Sequence, residues 1–155
     1  MTKYSAGLLL YRERNSSVEV FLVHPGGPFW ARKDLHAWSI PKGEYTPPDD
    51  ALKNACREFV EETGIPLPPG VPQPLTPIRQ AGGKIVQAWY LQGDVDAAAV
   101  RSNTFTLEWP PRSGTLREFP EVDKAAWFSL GEARTKVHKG QVTLIDELAS
   151  RLAQK

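Results

Sequence analysis

Glu58, Glu61 and Glu62 stand at i, i+3 and i+4, the separations at which side chains on one helix meet. Like charges so placed repel. Arg57 is the one cation well placed to offset them, four residues before Glu61. The carboxylates are therefore either spread in solvent or held by something cationic. A cluster of hard oxygen ligands suits Mg²⁺ or Mn²⁺, ions that keep some waters and bridge to phosphate groups. Such a site offers displacement at phosphorus. Divalent ions neutralise a polyanionic chain and orient it, while a carboxylate takes the proton of the attacking water.

A helix must carry these residues, and the sequence marks both of its ends. Asp49 or Asp50 caps the start, where negative charge suits the positive end of the helix dipole. Gly64 closes it. On a wheel of about 100° per residue with Leu52 at zero, Ala55, Cys56, Phe59 and Thr63 fall within about 60° on either side. Glu58, Glu61 and Glu62 fall at about 240°, 180° and 280°, on the side away from that apolar stripe. For an arbitrary helix the plain reading of such a cluster is a solvated face.

Around this helix the chain reads mainly as strands. Tyr4 to Tyr11 and Val18 to Val23 are apolar runs flanking a polar turn, an antiparallel pair. The segment from His24 to Gly43 is irregular, broken by Gly26, Gly27, Pro28 and Pro41, with a short strand expected at Ala37 to Ile40. Pro66 to Pro77 is too rich in proline for regular structure. Strands are expected at Lys84 to Leu91, Thr104 to Trp109 and Ala125 to Phe128, and helices at Leu130 to Lys136 and Gln141 to Ala153. Glu118 to Asp123 reads as a loop ahead of a strand. This order predicts an α+β chain without regular βαβ alternation.

The spacing carries a resemblance. Gly43, five residues, Asp49, seven residues, then Arg57-Glu58-Phe59-Val60-Glu61-Glu62-Thr63-Gly64-Ile65 resembles the Nudix box. Asp49 stands where that family has glutamate, and Phe59 is bulkier than the usual residue there. Trp38-Ser39-Ile40-Pro41-Lys42 leads in as in Nudix members. The resemblance implies a mixed β-sheet sandwiched between helices, an α/β/α sandwich, in one Nudix hydrolase domain over residues 1–155. It implies a divalent-metal-dependent pyrophosphohydrolase that cleaves a nucleoside diphosphate linked to another group. Carried over by position, Glu58, Glu61, Glu62 and the main chain of Gly43 would hold Mg²⁺, with Mn²⁺ as the alternative. Glu58 would hold metal or act as base, and Arg57 would orient the glutamates. Some members recruit a further acidic residue from outside the box, and Glu121 is the candidate here.

For the substrate, Lys42 and Arg32 can receive phosphates as charge-assisted donors, as can Lys33. Trp30, in a Gly/Pro loop, can stack on a base, whereas Trp38 reads as core. The Pro41-Lys42-Gly43 entry resembles members that act on dinucleoside polyphosphates, with nucleoside triphosphates also open. The alternative is a catalytically weak nucleotide-binding or regulatory Nudix module, whose mark would be loss of the box glutamates. His24, His36 and His138 show no ligand spacing and read as structural or surface residues.

Composition limits the rest. In 155 residues with 41% hydrophobic and 24% charged residues and a formal charge of +1, there is no broad basic field for a nucleic-acid polymer. No apolar run approaches the ~20 residues that cross a bilayer. The single cysteine, Cys56, sits on the apolar helix face and forms no internal disulfide. The expected setting is cytoplasmic, as a monomer or homodimer.

Overall fold

The computed structural model describes residues 2–154. β1 (Tyr4–Arg14) and β2 (Ser17–Pro25) form the expected antiparallel pair. Asn15 and Ser16 close it at φ 54° and 64°, the left-handed values that a two-residue turn between twisted strands requires. β3 (Lys42–Tyr45) precedes α1 (Ala51–Thr63). β4 (Gln73–Pro74), β5 (Ile78–Arg79), β6 (Ile85–Gln92), β7 (Thr104–Glu108), β8 (Leu116–Pro120) and β9 (Val122–Ser129) follow, then α2 (Leu130–Lys136) and α3 (Val142–Ala153).

Seven strands make one mixed sheet in the order β4-β6-β1-β2-β9, with β3 beside β1 and β5 beside β6. β1 is its spine. One edge pairs in parallel with β6 from Tyr4↔Ile85 to Tyr11↔Gln92. The other edge is shared: β3 pairs with its first half, Tyr4 to Gly7, and β2 with its second, from Tyr11 to Arg14. Buried on both faces, β1 reads as a nearly continuous apolar run. Leu8 and Leu10 pack with Phe21, Trp89, Ala55 and Phe59 beneath α1. Leu9 and Tyr11 pack with Leu22, Tyr90, Phe128, Leu144, Ile145 and Leu148 on the α2 and α3 side. The sheet is thus covered by helices on both faces, the expected α+β sandwich.

Four expectations are corrected. Ala37 to Ile40 makes no strand. Trp38 and Ser39 contribute isolated bridges to Val137 and Val23, and the strand forms instead at Lys42–Tyr45, a polar segment recruited by the free edge of β1. The proline-rich stretch contains β4, because Gln73 and Pro74 lie on the outer edge of β6, where a missing N–H is tolerated. The strand beginning near Lys84 starts one residue later. Glu118 to Asp123 is not a loop: Glu118 to Pro120 end β8, paired with β7 in a separate two-stranded sheet, and Val122 and Asp123 begin β9.

Phe59 is fully buried and meets Phe21 with ring centroids 6.1 Å apart. It fastens α1 to the sheet. Phe59→Ala leaves a ring-sized void and is expected to cost about 3–5 kcal/mol, read as a lowered urea midpoint at unchanged slope.

Candidate active site

α1 is capped at its start by Asp50, whose side chain accepts from the Lys53 N–H, and at its end by Gly64, left-handed at φ 68°, whose N–H donates to the Val60 carbonyl. Both ends lie where the capping residues place them. The orientation of the glutamates is a correction to the wheel. Asn54, Glu58 and Glu62 form one i, i+4 row, and α1 turns that row toward β3 instead of toward water. Asn54 Nδ2 donates to the Glu44 carbonyl at 3.4 Å. The Glu58 side chain is 17% exposed, and Glu62 accepts from the Lys42 N–H at 3.3 Å. Glu61 alone of the three faces outward, with its side chain 43% exposed. A helix resting on two partners, the sheet below and β3 beside it, has two buried sides, and a single hydrophobic stripe reveals only one.

Gly43 sits directly under Glu58. A β-carbon there would lie 2.1 Å from the Glu58 carboxyl carbon, so any side chain at this position displaces the Glu58 carboxylate. Arg57 lies 3.7 Å from Glu58 and 3.8 Å from Glu61, and it also donates to Asn54 Oδ1. It bridges the outward and inward glutamates. Asp49 is exposed and shares a shallow cleft with Asp50, Lys53, Asn54 and Arg57.

Burial, reinforced by the charge of Glu58, pushes the Glu62 carboxyl up to about 8. Burial, with Glu61 and Glu121 adding to it, raises Glu58 as well. These are carboxylates short of positive charge. Among the described residues no group of three His, Cys, Asp or Glu side chains converges as a ready metal cage. What the structure offers is a row of hard oxygen donors in partial burial, destabilised as anions and adjoining an exposed Glu61. That donor set suits a divalent cation that retains several waters.

Glu62 also ties the stability of the metal-free protein to pH. Its ordinary pKa is 4.5, so between about 4.5 and 8 the folded protein keeps a proton that the unfolded chain has lost. The linked stability is complete below pH 4.5 and disappears as pH rises through 8. In EDTA the melting temperature is expected to fall across this window. The loss is at most about 5 kcal/mol, the rise from 4.5 to about 8 being worth about 1.4 kcal/mol for each tenfold change in proton affinity. Glu62→Gln should flatten the slope.

Glu121 occupies the junction between β8 and β9. It lines a cleft with Glu62, Lys42, Ser39 and Val23. Its carbonyl accepts from the Gly26 N–H at 2.9 Å, and its own N–H donates to the Asn103 carbonyl at 2.8 Å. Lys42 links this cleft to a larger one of about 330 Å³, lined also by Trp30, Trp38, Gln80, Lys84, His138 and Gln141. Trp30 is 38% exposed on its wall. The structure therefore brings Lys42, Glu62, Glu121 and Trp30 onto the walls of two adjoining clefts, while Gly43 and Glu58 meet each other outside the lining of both. It leaves Arg32 outside, exposed on the loop beyond the lining of either. Lys33 lies 5.1 Å over the Trp30 ring.

His24 and His36 are structural, as expected. His24 is fully buried between Asp123 Oδ1 and the Lys33 carbonyl, and His36 bonds the Val137 carbonyl. His138 is different, since it lines the larger cleft. Lys84, Gln80 and His138 were not legible as site residues. They come from the connection between β5 and β6 and from the connection before α3, and only the assembled sheet carries them to Lys42.

The NUDIX domain family model matches residues 1–148, and the chain belongs to the Nudix family. A curated relative, the asymmetrical bis(5'-nucleosyl)-tetraphosphatase of Mus musculus, is 34% identical over 71 residues, covering 42% of this chain and 44% of that protein. The chain thus spans under half the length of the curated relatives it matches. Among solved structures, a C. elegans Ap4A hydrolase binary complex superposes with a TM-score of 0.66 at 21% identity, over 99% of this chain and 100% of that one. The NUDIX domain of Shewanella oneidensis NrtR, complexed with ADP ribose, gives 0.68 at 17% identity, over 98% and 89%. At these identities the structural likeness establishes the fold.

Among the described residues no helix is long and apolar enough to cross a membrane.

Proposed function

We propose that this Nudix chain is a divalent-metal-dependent pyrophosphohydrolase that cleaves a nucleoside diphosphate linked to another group, with dinucleoside polyphosphates as the favoured substrates and nucleoside triphosphates next. One observation carries the reading: Glu58 is seated on Gly43, and Glu62, buried and short of positive charge, stands beside Lys42 and Glu121. The tetraphosphatase relative supports the choice of substrate.

Glu58, Glu61, Glu62 and the main chain of Gly43 would hold Mg²⁺ or Mn²⁺. The cation supplies neutralisation and orientation of the phosphate chain. The protein's own groups do the rest. Arg57 holds Glu58 and Glu61 in place through its two contacts. Lys42 receives a phosphate oxygen as a charge-assisted donor. Glu121, which lines the smaller cleft with Glu62, would accept the proton of an attacking water or add a ligand. Trp30 stacks on a base. Retention of all three box glutamates favours hydrolysis over a binding-only module.

The test is a panel of dinucleoside polyphosphates, nucleoside triphosphates and nucleotide sugars with Mg²⁺, with products identified by mass. Release of a nucleoside mono-, di- or triphosphate from a dinucleoside polyphosphate is the expected result. Tight binding without turnover anywhere on the panel would transfer the chain to the regulatory class.

A further inference from the structure

His24 lies on β2, fully buried, with Trp38 edge-on to its ring at 5.1 Å between centroids. Both ring nitrogens are engaged. Nε2 donates to the Lys33 carbonyl at 2.6 Å, since a carbonyl can only accept. Nδ1 meets Asp123 Oδ1 at 2.9 Å. A buried polar group satisfied on both sides makes a rigid joint, and each side of this one leads to a cleft residue.

On one side the joint holds the loop after β2. Over Gly27 to Lys33 the other main-chain bonds among the described residues are the loop's own: the Trp30 N–H donates to the Gly27 carbonyl at 3.3 Å, and the Lys33 N–H to the Trp30 carbonyl at 2.9 Å. The Lys33 ammonium lies 5.1 Å over the Trp30 ring, within cation–π reach. The bond from His24 to Lys33 therefore ties this exposed turn to the sheet. Trp30 hangs from that same lysine by its carbonyl and by its ring.

On the other side the joint holds a bulge. β2 and β9 pair without interruption from Glu19↔Ser129 to His24↔Lys124, but the next pair is Pro25↔Val122, so Asp123 is an extra residue on β9. A bulge re-aims the side chains around it, and here it turns Asp123 onto His24. Glu121 lies two residues away, its carbonyl accepting from the Gly26 N–H at 2.9 Å. A β-carbon on Gly26 would lie 1.9 Å from the Pro120 carbonyl oxygen, so strand and junction have no slack. The bulge that His24 fixes sets where Glu121 enters the smaller cleft.

We propose that His24 is a positioning residue for the reaction: through Lys33 it sets Trp30 against the base, and through Asp123 it sets Glu121 against the water. The inference rests on the hydrolase reading for the roles of Trp30 and Glu121.

Two substitutions separate the arms. An asparagine amide reaches about as far as Nδ1, so it keeps Asp123 and releases Lys33. A glutamine amide reaches about as far as Nε2, so it keeps Lys33 and releases Asp123. His24→Asn should raise KM for diadenosine tetraphosphate about tenfold, the scale of one lost stacking contact, with kcat within about twofold. His24→Gln should lower kcat about tenfold with KM within about twofold. Asp123→Ala, at a side chain 32% exposed, should reproduce the kcat loss and serves if thermal melts show His24→Gln unfolded. In a Trp30→Ala background, His24→Asn should add little to KM.

The loop arm is also read without turnover. Trypsin should cut after Arg32 and Lys33 several-fold faster in His24→Asn than in wild type, and at the wild-type rate in His24→Gln and Asp123→Ala. Folded variants that change kcat and KM together, or that trypsin cuts alike, overturn the positioning role. Wild type that hydrolyses no nucleotide overturns the hydrolase reading instead. His24→Asn must then still open the turn to trypsin and weaken diadenosine tetraphosphate binding by calorimetry, or the positioning role falls with it.

Discussion

Glu62→Gln is expected to lower kcat/KM on the preferred nucleotide about 10³-fold, roughly 4 kcal/mol of barrier, with the far-ultraviolet circular dichroism unchanged. Glutamine fills the same volume and can still accept from the Lys42 N–H, so the fold has no reason to move. What disappears is the negative charge. In partial burial that charge is costly without a cation, as the pKa of about 8 records, and by the same physics it is a strong partner once a cation arrives. The paired measurement is Mn²⁺ binding by calorimetry, expected to weaken in parallel. Full activity in this variant would remove α1 from the chemistry.

Gly43→Ala should lower turnover by about 10²-fold although it touches no charge. The added methyl would sit 2.1 Å from the Glu58 carboxyl carbon, less than two-thirds of a normal contact. The carboxylate must swing or β3 must retreat, and a shift of about 1 Å at a reacting group costs on the order of 10²-fold. Gly43 does not have a positive φ, so backbone strain is not involved. The stability penalty is about 1–3 kcal/mol from overpacking. Combining the substitution with Glu58→Gln should add little further loss, because both act on one carboxylate. Additive losses in kcat/KM would show that Gly43 acts elsewhere.

Much of this was legible where local rules decide. The apolar runs gave β1 and β2 because strands buried on both faces need no alternation, and Asp50 and Gly64 bounded α1 by satisfying its terminal N–H and carbonyl groups. Arg57 and the glutamates were visible through spacing alone. The misses are long-range. Lys42–Tyr45 has no strand composition and pairs only because β1 leaves an edge free. The burial of Glu58 and Glu62 depends on that same strand lying alongside α1. Lys84 and His138 are 42 and 96 residues from Lys42 in sequence, and nothing in their neighbours announces that they meet it.

The β7–β8 ribbon lies outside the main sheet and meets the body through Trp109 against Phe29, Phe105 over Gly27 and Pro120 against Gly26. Its tip, from Trp109 to Thr115, makes no part of either hydrophobic core. Insertions or exchanges at that tip are therefore cheap for folding, while the ribbon's base still ends on Glu121. Descendants of such a chain can rewrite this short tip without disturbing the helix that bears the acids.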